Sequence, residues 1–125
     1  MTGRQPAPAR VLVVEPDEAV CRLMTHVMRA DGHAVTCRSE LTAMTVAILE
    51  TVDLVVVDGS LIRTPRERDA VSSLGATGVL LVGEADGASP APVAGGYLPK
   101  PFAASALRAA VSSLLRRRRT GSMVD

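Results

Sequence analysis

Leu54-Val55-Val56-Val57-Asp58 is an apolar run closed by a carboxylate, too short for a helix and too uniformly apolar for a strand with one wet face. A run of this kind is the mark of a parallel strand buried on both sides. Val11-Leu12-Val13-Val14 and Val79-Leu80-Leu81-Val82 repeat it, and Ala34-Val35-Thr36-Cys37 and Gly95-Gly96-Tyr97-Leu98 supply two weaker strands. Between them the period changes from a continuous run to a helical one. Val20, Leu23, Met24, Val27 and Met28 fall on one helical face, and Asp31-Gly32 closes that helix with a glycine suited to a left-handed cap. Ser39 is the expected cap of a second helix, with Leu41, Met44, Ile48 and Leu49 inward. Thr64-Pro65-Arg66-Glu67 has the capping-box pattern with proline at the first helical position, which predicts a third, short helix ending near Leu74. The last helix carries Leu107, Val111, Leu114 and Leu115 as its buried stripe and runs into arginines, which suit a helix C-terminus.

Strands alternating with helices form a βαβ series, and the right-handed crossover rule leads to an α/β, doubly wound, five-stranded parallel sheet with helices on both faces. The flavodoxin-like strand order 2-1-3-4-5 brings the ends of the first and third strands together at the switch point, where ligands of such sheets gather. One segment breaks the rhythm. Residues 84–96 hold Gly87, Pro90, Pro92, Gly95 and Gly96 among small side chains, so the fourth helix is expected to be short, disordered or replaced by a loop. Residues 10–119 are expected to form one domain, with terminal tails at residues 1–9 and 120–125.

Composition narrows the function classes. The chain of 125 residues is 47% hydrophobic but only 2% aromatic, so the core is aliphatic and no platform of stacking aromatics for single-stranded nucleic acid exists. A net charge of +1 gives no field to steer polyanions, although Arg116 to Arg119 form a local basic run that could meet phosphates or an acidic partner. No Walker loop, dinucleotide fingerprint or apolar stretch of membrane-spanning length occurs. Cys21 and Cys37 lack metal-ligand or CxxC spacing, so a cytoplasmic location with reduced thiols is expected. His26 and His33 fit structural positions better than catalytic ones.

The polar residues that end the strands carry the chemistry. Glu15 and Asp17 follow the first strand, Asp58 the third, and Lys100 the fifth. Lys100 is the only lysine among fourteen basic residues, and a compact ammonium on a flexible stem suits a carboxylate or a phosphoryl oxygen. Carboxylates gathered beside it can hold Mg²⁺ together with waters and a phosphate oxygen. An ionised aspartate there can attack phosphorus while neighbouring cations neutralise the transferring group.

Over Val11 to Arg116 the chain resembles the receiver domains of two-component response regulators, the CheY-like superfamily. The resemblance runs through Val11-Leu12-Val13-Val14-Glu15-Pro16-Asp17, Asp53-Leu54-Val55-Val56-Val57-Asp58 and Tyr97-Leu98-Pro99-Lys100-Pro101-Phe102, the last being the most specific. It implies a signalling switch rather than an enzyme with a turnover substrate. Asp58 would be the phosphoacceptor, served by a histidine kinase or a phosphotransfer protein, and Lys100 would contact the phosphoryl group. Mg²⁺ would be held by Glu15, Asp58 and the Ser60 backbone carbonyl, with Asp17 as a further candidate. Tyr97 would be the aromatic switch, and Pro101 would follow a cis peptide.

Two positions depart from the family pattern. The second acidic residue after the first strand, usually a direct ligand, is Pro16, so weak Mg²⁺ binding is expected. The Thr or Ser that ends the fourth strand is Gly83, which removes a hydroxyl from the route between phosphoryl group and Tyr97. The resemblance therefore implies a receiver that signals to an output protein by contact, with homodimer formation left open. The alternative is a pseudo-receiver that acts as an interaction module without phosphorylation.

Overall fold

The computed structural model describes residues 8–73, 78–84 and 95–124. Five strands, β1 (Arg10–Val14), β2 (Ala34–Arg38), β3 (Leu54–Asp58), β4 (Val79–Glu84) and β5 (Gly96–Lys100), form one sheet in the order β2-β1-β3-β4-β5. All four pairings are parallel. Among the described residues the helices are α1 (Glu18–Ala30), α2 (Ala43–Leu49), α3 (Pro65–Ser72) and α4 (Ala104–Val124), with one 3-10 turn at Gly59–Leu61. The expected fourth helix between β4 and β5 falls on residues 85–94, outside the described residues.

The apolar runs are buried on both faces because alternate side chains feed two separate cores. Val11, Val13, Leu54, Val56, Leu80 and Val82 pack with Met24, Val27 and Met28 of α1 and Leu107, Val111 and Leu114 of α4. Leu12, Val14, Val55, Val57, Val79 and Leu81 pack on the other face with Leu49 of α2, Leu61 of the 3-10 turn and Val71 of α3. The described helices are thus divided two and two across the sheet, in keeping with double winding.

Local chemistry sets the ends of these elements. Gly32, at φ +94°, follows the C-cap Asp31 of α1; its N–H donates to the Arg29 carbonyl and that of His33 to the Met28 carbonyl, the paired bonds of a Schellman motif. The capping box forms as expected: Thr64 Oγ1 accepts from Glu67 N–H, and Glu67 Oε1 accepts from Thr64 N–H. Pro99 sits inside β5, which is tolerated because β5 is an edge strand. Gly96 lies close under α4. A Cβ there would stand 3.2 Å from Leu80 Cδ1 and 3.5 Å from Leu114 Cδ1.

Several expectations need correction. Thr42, not Ser39, caps α2, because Thr42 Oγ1 accepts from Thr45 N–H while Thr45 Oγ1 donates to the Glu40 carbonyl. Leu23 is 44% exposed rather than in the core, since a position one residue before Met24 lies about 100° round the helix and clears the buried stripe. The last helix continues to Val124, through residues 120–124 that were expected to be a tail. Free thiols are not what the structure holds: Cys21 and Cys37 are joined as a disulfide, with Cα atoms 6.5 Å apart. The helix, the Gly32 turn and the returning strand bring the first turn of α1 back to the level of the end of β2, which a pattern search for CxxC spacing does not detect. No described helix is long and apolar enough to cross a membrane.

Candidate functional site

The site lies at the carboxyl ends of the strands. Glu15 directly follows β1 and is almost fully buried, Asp58 ends β3 and is buried, and Lys100 ends β5 with a partly exposed side chain. The Lys100 ammonium joins the two acids. Its Nζ donates to Asp58 Oδ2 at 2.6 Å and to Glu15 Oε2 at 2.8 Å, and it is also 2.8 Å from Glu15 Oε1. The other Asp58 oxygen, Oδ1, accepts the Ser60 N–H at 2.8 Å, so the carboxylate is oriented from both sides. The Lys100–Pro101 peptide is cis.

These contacts decide the protonation states. Burial works to raise the Asp58 pKa, but hydrogen bonds from Lys100 and Ser60, together with the Lys100 charge, outweigh it and hold the carboxyl below its ordinary value. Burial works to lower the Lys100 pKa, and hydrogen bonds and charge from Asp58 and Glu15 outweigh that in turn and raise it. Asp58 is therefore a carboxylate and Lys100 an ammonium at neutral pH. An ionised, oriented aspartate beside a fixed cation is suited to attack an electrophilic phosphorus.

Asp17 does not join this cluster. Its Oδ1 accepts from the N–H groups of Ala19 and Val20 as the N-cap of α1, and its own N–H donates to Glu15 Oε2 at 3.0 Å. Among the described residues two carboxylates rather than three therefore surround the ammonium, because helix capping occupies Asp17. Pro16 is exposed between them and adds no oxygen from its side chain.

The donor set can be tested against a divalent ion on these atoms. Glu15 Oε1 is buried and accepts no hydrogen bond in spite of its ion pair with Lys100, and Asp58 is a carboxylate nearby, so two hard oxygen donors suit Mg²⁺. The Ser60 carbonyl is already engaged, accepting from Arg63 Nε at 3.2 Å. Among the described residues no group of three or more His, Cys, Asp or Glu side chains is placed to hold a metal. The set fits an ion that keeps most of its water.

Arg63 was not singled out from sequence. Its only signal is its place in the chain, just beyond the 3-10 turn that follows Asp58, where its guanidinium can fold back on that turn. The other expected positions lie along the sheet. Gly83 pairs with Pro99, and Tyr97 pairs with Leu81 on the edge strand, with 43% of its surface exposed. His33 is buried, its Nδ1 accepting the Ala9 N–H, while His26 is exposed. Of the basic run, Arg117 donates to the Gly95 carbonyl, which ties α4 to the start of β5.

No protein-family model matches the sequence, and no curated protein matches it significantly. Solved structures do match. A response regulator receiver domain from Bacillus halodurans superposes with a TM-score of 0.68 at 27% identity, covering 86% of this chain and 97% of that one. A receiver domain protein from Clostridium thermocellum gives 0.69 at 22% identity, covering 90% and 98%. NtrX from Brucella abortus gives 0.79 at 19% identity over 94% of this chain, which spans 29% of that longer protein. With the strand order β2-β1-β3-β4-β5 and these neighbours, the chain has the CheY-like fold of the response-regulator receiver domains.

Proposed function

We propose that this chain is a phosphorelay receiver in which Asp58 takes a phosphoryl group from the phosphohistidine of a histidine kinase or phosphotransfer protein. The reading is carried by one observation: Lys100 Nζ bridges Asp58 and Glu15 at the carboxyl ends of the strands. An Asp58 oxygen attacks phosphorus, the P–N bond breaks, and the imidazole leaves with the bonding electrons. Lys100 is placed to exchange its carboxylate partner for a phosphoryl oxygen and so to balance the charge that arrives. Glu15 and Asp58, with the Ser60 carbonyl once Arg63 releases it, would hold Mg²⁺, which supplies charge neutralisation at the transferring oxygens. In this reading the domain works in the cytoplasm and its output passes to a protein partner by contact.

A second reading, a pseudo-receiver that binds its partner without phosphate, is favoured by three features of the same site. Pro16 adds no ligand, Gly83 adds no hydroxyl, and the Ser60 carbonyl already accepts one hydrogen bond from Arg63. Incubation with acetyl phosphate and Mg²⁺ followed by intact-mass analysis separates the two. One acid-labile phosphoryl group that Asp58→Asn abolishes is the expected result, and an unmodified chain beside a labelled control receiver selects the pseudo-receiver.

A further inference from the structure

We propose that Cys21 and Cys37 form a reversible oxidation site, whose disulfide fixes the loop that carries Glu15 and whose co-substrate is a small hydroperoxide. This inference does not depend on phosphoryl transfer. It rests on where the two sulfurs lie. Cys21 is in the first turn of α1 and 5% exposed; Cys37 is partly exposed, next to the last residue of β2, an edge strand of the sheet. The pair is joined in the structure, and a Cα separation of 6.5 Å lies inside the range that a disulfide spans without moving the backbone.

The bridge brackets the β1–α1 loop on both sides. On the helix side the Cys21 N–H donates to the Asp17 carbonyl at 2.9 Å; on the strand side Glu15 N–H donates to the carbonyl of Arg38, the neighbour of Cys37, also at 2.9 Å. Between those two bonds lie only Glu15, Pro16 and Asp17, and Glu15 carries one of the two carboxylates on Lys100. Oxidation closes a covalent ring over residues 21–37 and, through the Glu15 N–H···Arg38 carbonyl bond, completes a second ring around residues 15–21 in which that hydrogen bond is the one non-covalent link; reduction leaves the segment held by hydrogen bonds alone. The loop therefore has two degrees of restraint selected by thiol chemistry.

The electron balance is complete with a peroxide. The more exposed Cys37 attacks one peroxide oxygen as the thiolate; the O–O bond breaks, and after protonation water or the alcohol leaves with Cys37 as a sulfenic acid. Cys21 then attacks the Cys37 sulfur, the S–S bond forms, the S–O bond breaks, and the departing hydroxide takes the Cys21 proton as water. Two thiols lose two electrons, and hydrogen peroxide becomes two waters or an organic hydroperoxide one alcohol and one water. A dithiol reductant reverses the step by thiol–disulfide exchange.

The test uses the whole chain. Fully reduced protein is treated with hydrogen peroxide, denatured, alkylated and weighed. Both cysteines should lose their reactivity to the alkylating agent while the chain stays monomeric, and dithiothreitol should restore both. Backbone amide spectra of the reduced and oxidised wild type should differ at Glu15, Asp17 and Arg38, a comparison that needs no variant to fold. Cys37→Ala should abolish both the bridge and the spectral difference. Thiols that remain alkylatable, cross-linking between chains instead of within one, or oxidised and reduced spectra that coincide at Glu15 and Asp17 would each overturn the proposal.

Discussion

Lys100 reaches Asp58 across an intervening strand: β4 lies between β5 and β3, yet Nζ closes to 2.6 Å from Asp58 Oδ2. Two strand spacings amount to about 10 Å, and the lysine stem covers that distance only because both residues sit at the carboxyl edge, where side chains can lean over the sheet. The same ammonium also serves Glu15, one strand further on. One cation thus holds two buried acids, and each acid loses its counter-charge when that cation is removed.

Replacing the ammonium while keeping the stem isolates its electrostatic role. Lys100→Met leaves Asp58 and Glu15 buried side by side without a counter-charge, so stability should fall by roughly 1.5–3 kcal/mol, the range for losing hydrogen bonds to charged groups. Urea unfolding of both proteins at neutral pH measures it. An unchanged midpoint and slope would mean that water replaces the ammonium at no cost.

The pH dependence of that difference has a definite sign. Asp58 titrates below its ordinary 3.8 in the folded chain, so its contribution is present above that value and is lost as pH falls through the lowered folded value. Lys100 titrates above its ordinary 10.5, so its contribution is complete below 10.5 and is lost as pH rises through the raised folded value. In Lys100→Met burial and the neighbouring carboxylate are no longer offset, so the variant takes up a proton at a pH above the ordinary 3.8 of aspartate, and the stability gap should shrink as pH falls into that range and again as pH rises through the raised Lys100 value. Unfolding curves collected across pH check it, and a gap that widens on acidification would assign the effect to another group.

The fold was legible because its determinants are local and repeated. Buried runs such as Leu54–Val57, the Gly32 turn and the Thr64–Glu67 capping box each impose their structure through nearest neighbours, and the doubly wound parallel sheet follows from the crossover rule, while the order 2-1-3-4-5 rests on likeness to flavodoxin-like sheets. Glu15, Asp58 and Lys100 were legible as strand-end residues for the same reason. What stayed hidden depends on which of several competing partners a side chain takes. Asp17 could face the ammonium or cap α1, and two helix N–H groups win. Thr42 took the cap expected of Ser39, Arg63 folds back on Ser60, and Cys21 meets Cys37, all contacts that no spacing rule encodes.

Arg63 and Pro16 should both set the affinity for Mg²⁺. Arg63→Ala releases the Ser60 carbonyl, and Pro16→Asp restores a carboxylate, so each should tighten binding and the pair together more than either. Isothermal titration of the three variants with MgCl₂ reads the order directly. Equal affinity in wild type and Arg63→Ala would show that the Arg63 hydrogen bond does not compete with the ion for the carbonyl, whose second lone pair is then sufficient. Equal affinity in wild type and Pro16→Asp would show that the existing oxygens already complete the site.

The last prediction concerns how a change at Asp58 travels to Tyr97. Asp58 pairs with Val82, and Val82 with Leu98, so Gly83 stands one step beyond the residue that links β3 to β5, and Tyr97 stands one step before its partner. A ligand shifts an equilibrium only through contacts that differ between the two states, and glycine supplies no side chain to make one. Beryllofluoride at Asp58 should therefore perturb the amides around Asp58 and Ser60 and leave Tyr97 nearly unmoved. Gly83→Thr is a clean test, because the residue is not at positive φ and a Cβ there meets no described atom within 4 Å. The variant should fold with near-native stability and extend the beryllofluoride response to Tyr97, since its hydroxyl can bond the new group and draw the end of β4 toward it. A large response at Tyr97 in the wild type would show that the strand ladder itself carries the signal and that the hydroxyl is dispensable in this chain.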